Sequence, residues 1–306
     1  MNKSPIALGC SSSTFKDGGD ITALMDACFE CGVNVFDTAR GYGKSEEVMS
    51  PYLKSKPREE YYLITKGCLP YPFSRLNPRC LKKDLEKSLL TLDIGYIDCY
   101  LLHRDDRRAD LKTIFGILDE ARKEGKIRSY GVSNWTAKRI QEANEVCKQN
   151  GYAPIEAVSN NFTLLPWAKD PWGGGDGCVS FTGKEDELRY LKEQNIPLYS
   201  YSPLARGFLT GRVKSMDPST YKIPDKSSRR AYLCQENLAR LARIEEIAAS
   251  LNMSVPDLTL AYLCHLDNEV IPVIGTLSPT RIKANLKAAQ SDISQEVIKE
   301  LKRLSL

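Results

Sequence analysis

Short apolar runs alternate with longer amphipathic stretches along this chain, the pattern of a parallel sheet wrapped by helices. The runs Asn34–Phe36, Tyr61–Thr65, Ile97–Leu102, Ile127–Val132, Ala157–Ser159, Pro197–Tyr201 and Val270–Ile274 predict strands, with a poorly defined further strand between Tyr201 and Val270. Helical spacing marks segments near Asp20–Cys31, Ser45–Lys54, Pro78–Leu92, Asp110–Glu124, Thr136–Gln149, Lys184–Glu193, Glu236–Leu251 and Pro279–Ala289. Val255-Pro256 opens an additional helix over Ser254–Cys264, ahead of the last strand. The count gives roughly eight β/α units, which points to an α/β fold of the (β/α)8 TIM barrel class. The stretch from Asn160 to Thr182, with Gly173-Gly174-Gly175, lacks periodicity and is expected to be an excursion over the barrel mouth.

At 306 residues and 42% hydrophobic content the chain supplies a large core, and one domain over 1–306 is expected. The net charge of +4 is spread along the chain without a basic stripe, so nucleic acid is not an expected partner. The N-terminus lacks a signal-peptide pattern and no apolar run reaches membrane-spanning length, which predicts no membrane association and a cytoplasmic location. Ten scattered cysteines make no disulfide framework. Cys28 and Cys31 form a C-x-x-C, but at the end of the helix that closes at Gly32 rather than at a helix start, so packing is the expected role. With only two histidines, His103 and His265, no metal site is expected.

No G-x-G-x-x-G occurs, which argues against the doubly wound dinucleotide fold. Gly177 to Lys184 misses the phosphate-loop spacing, and Glu185 stands where that loop needs Ser or Thr. Barrel active sites assemble at the C-terminal ends of the strands, so the polar residues just after each apolar run are the informative ones. Asp37 follows Val35-Phe36, Tyr42 lies in the next loop, Lys66 follows Leu63-Ile64-Thr65, and His103 follows Tyr100-Leu101-Leu102. Singly these residues fit a cap, loop packing, a solvated cation and a structural imidazole. Together they form a coherent general acid: an ammonium beside a phenol is expected to lower its pKa from about 10, with the carboxylate holding the ammonium.

The segment from Gly32 to Glu46, GVNVFDTARGYGKSE, resembles the aldo-keto reductase signature around its catalytic Asp and Tyr. Ile64-Thr65-Lys66 and Asp98–His103 resemble the segments with the family's catalytic Lys and His, and the matches run in order from about Gly9 to Ala288. The resemblance implies reduction of a small-molecule carbonyl substrate by NADPH (NADP+), with Asp37, Tyr42, Lys66 and His103 catalytic and Tyr42 the proton donor. It further implies that Ser133 and Asn134 bind the carboxamide, that Tyr201 stacks on the nicotinamide, and that Arg281 meets the 2′-phosphate. Ser202, Leu204, Gly275, Thr276 and Asn285 complete the implied cofactor set. Two positions depart from the family pattern: Ser159 stands where a glutamine is common, with Asn160 or Asn161 as substitutes, and Gly275 stands where many relatives carry lysine. Arg206, Gly207 and Arg212 are the candidates to supply that missing anchoring.

Trp135, Trp167 and Trp172 with Arg104, Asp105 and Asp106 would suit a hydroxylated, sugar-like substrate if they line the mouth; alternatively the tryptophans pack beside the cofactor strand and pin the long loop. Two further readings stay open: a cofactor-binding redox sensor or accessory subunit with little turnover, and a Schiff-base aldolase using Lys66.

Overall fold

The computed structural model describes residues 2–70, 73–173, 177–222 and 224–305. Its strands are β1 (Ala7–Gly9), β2 (Val35–Asp37), β3 (Tyr62–Gly67), β4 (Ile97–Leu102), β5 (Ile127–Ser133), β6 (Val158–Ser159), β7 (Leu198–Tyr201) and β8 (Val270–Ile274). They follow one another in sequence order as a closed parallel barrel, the (β/α)8 TIM barrel class. The helices are α1 (Ser13–Asp17), α2 (Thr22–Cys31), α3 (Ser45–Lys54), α4 (Pro78–Leu92), α5 (Leu111–Lys123), α6 (Ala137–Asn150), α7 (Glu185–Glu193), α8 (Lys226–Tyr232), α9 (Gln235–Ser250), α10 (Val255–Cys264), α11 (Pro279–Ala289) and α12 (Gln295–Ser305).

Local chemistry sets many of these boundaries. Asn77 caps α4 by accepting from the Cys80 N–H at 3.0 Å, with Pro78 at the first helical position. Thr136 caps α6, Ser254 caps α10, and Gly32 ends α2 at φ 90°. The Cys28 thiol, buried inside that last turn, is pushed up to about 12 by desolvation, which makes it a packing group rather than a nucleophile.

Two compact units divide the chain. The first runs to Ser159 and includes Ile274–Lys283; the second comprises Asn160–Val273 and the segment from Ala284 onward. In the first unit, β1 to β6 pair in parallel, with Gly9 opposite Asp37, Asp37 opposite Ile64, Lys66 opposite Leu101 and Ser133 opposite Ser159. Strand ends bearing the candidate residues thus lie side by side. In the second unit β7 pairs with β8 from Leu198↔Val270 to Tyr201↔Val273.

One sequence expectation needs correction. Among the described residues there is no strand between Tyr201 and Val270; the barrel's remaining strand is β1, near the N-terminus. β1 is three residues long and buried on every one of them, so neither alternation nor length marks it. Helices α1, α8 and α12 also went unpredicted, the first two because five and seven residues are too few to establish a helical period.

Candidate active site

All four predicted catalytic residues belong to the first unit and converge. Asp37 closes β2, Lys66 is the fifth residue of β3, His103 follows β4 directly, and Tyr42 sits in the loop between β2 and α3. Lys66 Nζ donates to Asp37 Oδ1 at 2.6 Å, to Asp37 Oδ2 at 2.7 Å and to the Thr38 carbonyl at 3.0 Å. The same ammonium stands 5.2 Å from the centre of the Tyr42 ring. The Tyr42 and His103 rings meet edge to face at 5.5 Å.

The Tyr42 loop is held at several points. Its backbone bonds to β3 through Arg40 N–H to the Lys66 carbonyl at 2.9 Å, and the Tyr42 N–H closes a turn on the Ala39 carbonyl. Glycine is required after the tyrosine, at Gly43, while at Gly41 a larger residue would have to displace the Leu69 side chain. A Cβ at Gly41 would come within 2.5 Å of Leu69, and one at Gly43, where φ is +57°, within 2.7 Å of the Lys16 carbonyl oxygen. Beneath the loop, Glu46 is 1% exposed; it accepts from Arg40 at 2.8 Å and from the Thr65 hydroxyl at 2.7 Å. This carboxylate fastens the start of α3 to the residue preceding Lys66. Thr38 and Ser45 share a 2.8 Å hydroxyl contact, and Ser45 donates to the Cys10 carbonyl. Thr38, Arg40, Ser45, Glu46 and Thr65 all lie inside the segments that carry the family resemblance, but nothing in the sequence singled them out for these supporting contacts.

Burial and charge set the protonation states. Asp37 raises the Lys66 ammonium above its ordinary value against the cost of burial, so the lysine stays charged. Burial pushes Asp37 upward while Lys66 opposes it. The expectation of a lowered Tyr42 pKa is corrected: Lys66 and Arg104 do pull it down, but desolvation outweighs them and the phenol is raised overall. Tyr42 therefore keeps its proton at neutral pH. Burial, Lys66 and Arg104 all push His103 well below 6.5. Its Nδ1 is buried and has no hydrogen-bond partner among the described residues, so a second ring proton would have no acceptor there.

The candidate carboxamide residues are joined to His103. Ser133 Oγ donates to the Ser159 carbonyl at 2.8 Å, and Asn134 Nδ2 donates to Ser133 Oγ at 2.9 Å and reaches the His103 carbonyl at 3.5 Å. Asn134 adopts a left-handed backbone at φ 63° at the end of β5, which turns its amide back along the strand ends. Gly275, Thr276 and Arg281 follow β8; Arg281 lies exposed in the first turn of α11, and Asn285 is one turn further on.

In the second unit, Tyr201 ends β7 half-buried, and Ser202 and Arg206 in the following turn have φ of 53° and 50°. Leu204 accepts from the Gly207 and Leu209 N–H groups. Arg206 bonds Ser228 and Asp225 and covers the Trp172 ring at 5.2 Å, while Arg212 Nε donates to the Thr210 hydroxyl at 3.3 Å. Asn161, a candidate substitute for the glutamine, is committed at both ends of its amide, to the Tyr201 carbonyl and to Ser180 Oγ.

Trp135 is fully buried against Phe115 and Arg139, Trp167 donates to the Tyr232 hydroxyl, and Trp172 is exposed and sits edge-on to Tyr201. Gly174 and Gly175 lie outside the described residues.

A model of the Aldo/keto reductase family matches residues 5–306. The chain is 28% identical to an aldo-keto reductase of Strobilurus tenacellus over 92% of its own length and 80% of the relative's. It is 29% identical to an aldo-keto reductase [NADP(+)] of Schizosaccharomyces pombe, covering 92% of this chain and 81% of that one. It is also 25% identical to an NADH-specific methylglyoxal reductase of Escherichia coli, over 90% and 83% of the two chains.

Proposed function

Starting from the aldo/keto reductase family, to which this chain belongs and whose members are oxidoreductases using nicotinamide cofactors, we propose that it reduces an aldehyde or ketone to an alcohol with NADPH, Tyr42 giving the proton. One observation carries the reading: a neutral phenol, a charged lysine paired to a buried carboxylate, and a neutral imidazole converge at adjacent strand ends.

The residues present fit a nicotinamide cofactor by their chemistry. Ser133 and Asn134 offer a hydroxyl and an amide at a strand end, Tyr201 offers a half-exposed ring, and Arg281 offers a guanidinium at a helix N-terminus, where anions are favoured. These would hold the carboxamide, the ring and the 2′-phosphate, with Gly275, Thr276 and Asn285 beside the last. When bound, the reduced nicotinamide supplies the hydride. The likeness to an NADP(+) relative supports the phosphate assignment, and the NADH-specific relative makes Arg281 the position to test.

The protein's own residues handle the carbonyl oxygen. With Nδ1 buried and lacking an acceptor, the single His103 proton is better placed on Nε2, from which it can donate to that oxygen and orient it. Tyr42 transfers its proton as negative charge develops there, and the Lys66 ammonium stabilises the phenolate left behind. Asp37 keeps the ammonium in place. This arrangement disfavours a Schiff-base role, because a nucleophilic lysine must be a neutral amine and Asp37 holds Lys66 charged. The family match over residues 5–306 also supports reading the chain as one barrel domain.

The test is NADPH consumption with a panel of aldehydes and ketones, with product alcohol quantified in parallel. Stoichiometric alcohol formation is expected. Binding of NADPH without reduction of any carbonyl would favour the accessory or sensor role instead.

A further inference from the structure

The strand β3 ends on Gly67, and the chain leaves it through Cys68 at φ 61°, a left-handed backbone that residues with a Cβ rarely adopt. One carboxylate holds that turn. Asp84, buried in the second turn of α4, accepts from the Cys68 N–H at 2.9 Å through Oδ2 and from Arg75 at 2.5 Å through Oδ1. Cys68 brings no reactive group to the turn, because burial, and then Asp84, push its thiol up to about 12.

The turn sits where the loops of the candidate site are joined. The Lys66 carbonyl accepts the N–H of Arg40, in the loop that carries Tyr42, at 2.9 Å, and the Gly67 carbonyl accepts the His103 N–H at 2.9 Å. Gly67 itself is closely packed: a Cβ there would lie 1.9 Å from the Tyr100 hydroxyl oxygen and 3.1 Å from the Asp84 Cβ. The Tyr42 loop and His103 are thus both tied to the run Lys66-Gly67-Cys68. Asp84 is the side chain that fixes the end of that run.

We infer that Asp84 is a positioning residue of this site: by holding Cys68 in the left-handed turn it sets where β3 presents Lys66 and where the Gly67 carbonyl seats His103. The inference rests on the reading of Lys66, Tyr42 and His103 as the reductase machinery. Asp84 acts through the backbone and takes no part in the proton transfer. Without it Cys68 favours an extended backbone, and the ammonium and imidazole lose their register with Tyr42; a misplacement of about 1 Å can cost about 10²-fold in rate.

Carbonyl reduction and NADPH binding by variants of the full-length protein test it, below each variant's Tm and with an aldehyde that the wild type turns over. Asp84→Ala should lower kcat roughly tenfold or more while KM and the NADPH Kd each change by less than about threefold. Asp84→Asn keeps an oxygen for the Cys68 N–H, so its kcat should stay within about threefold of wild type. In the Asp84→Ala background, Cys68→Gly should restore kcat several-fold, because glycine takes the left-handed turn unaided. A role confined to stability predicts no such recovery, since removing the buried thiol weakens packing further. Cys68→Val, which resists positive φ with Asp84 intact, should reproduce the loss of kcat and decides the matter if Asp84→Ala does not fold. Wild-type kcat in Asp84→Ala or Cys68→Val, a loss in Asp84→Asn as large as in Asp84→Ala, or no recovery with Cys68→Gly would overturn the inference and leave the reductase reading intact. No turnover of any carbonyl by the wild type would overturn that reading, and this inference with it.

Discussion

Lys66 Nζ lies 2.6 Å from one carboxylate oxygen of Asp37 and 2.7 Å from the other, and neither side chain is more than 7% exposed. Removing one member of a buried ion pair strands the other charge at a cost of about 3–5 kcal/mol. Lys66→Met should therefore lower unfolding stability by that order, and Lys66→Met with Asp37→Asn should recover part of it. Urea unfolding of the three proteins checks this. A single variant as stable as the wild type would mean the pair is not dry.

Glu46 ties the start of α3 to Thr65, the residue before Lys66. Glu46→Ala leaves Arg40 and Thr65 without their acceptor, and a destabilisation of about 1–3 kcal/mol is expected. Because the carboxylate fixes the Tyr42 loop against β3, kcat should fall roughly tenfold or more with a smaller change in KM. Thr65→Val, which removes one donor, should cost only about 1 kcal/mol. Wild-type kcat in Glu46→Ala would show that the loop is positioned by other contacts.

His103 is held neutral, its pKa well below the usual 6.5. An unfolded chain takes up a proton near 6.5 that the folded chain refuses, so this residue's contribution to stability is complete above that pH and is lost as pH falls below it. The expected slope is about 1.4 kcal/mol per pH unit. His103→Gln should flatten the stability profile between 6.5 and about pH 5. A profile unchanged by the substitution would mean that His103 takes up its proton as readily in the folded protein as in the unfolded chain.

Arg281 is exposed in the first turn of α11 and has no ion pair among the described residues. Arg281→Ala should weaken NADPH binding by roughly tenfold or more while leaving NADH within about threefold, since only the former has the phosphate to lose. Equilibrium titration with each cofactor reads the ratio directly. An unchanged ratio would remove Arg281 from the phosphate site.

Asp37, Lys66 and His103, three of the four proposed catalytic positions, were legible because they end or directly follow an apolar strand, where barrels place their chemistry, and Tyr42 was legible from the loop that comes next. The same rule could not find β1, whose three buried residues show no alternation, and it invented a strand after Tyr201 to keep the count at eight. Glu46 and Asp84 were illegible for a different reason. Their roles depend on contacts made across strands and loops, to Arg40 and Thr65 in one case and to Arg75 and the Cys68 N–H in the other, and local sequence carries no mark of either. The Tyr42 pKa misled in a third way: the charges around it were read correctly, but the cost of burying a phenolate is a property of the packed site.

The most direct test of the account is Tyr42→Phe, with carbonyl reduction and NADPH binding measured on the same preparation. The hydroxyl serves the transition state rather than the cofactor, so turnover should fall by about 10²–10⁴-fold while the NADPH Kd changes by less than about threefold. Turnover close to wild type would contradict Tyr42 as the proton donor and, with it, the chemistry assigned to this site.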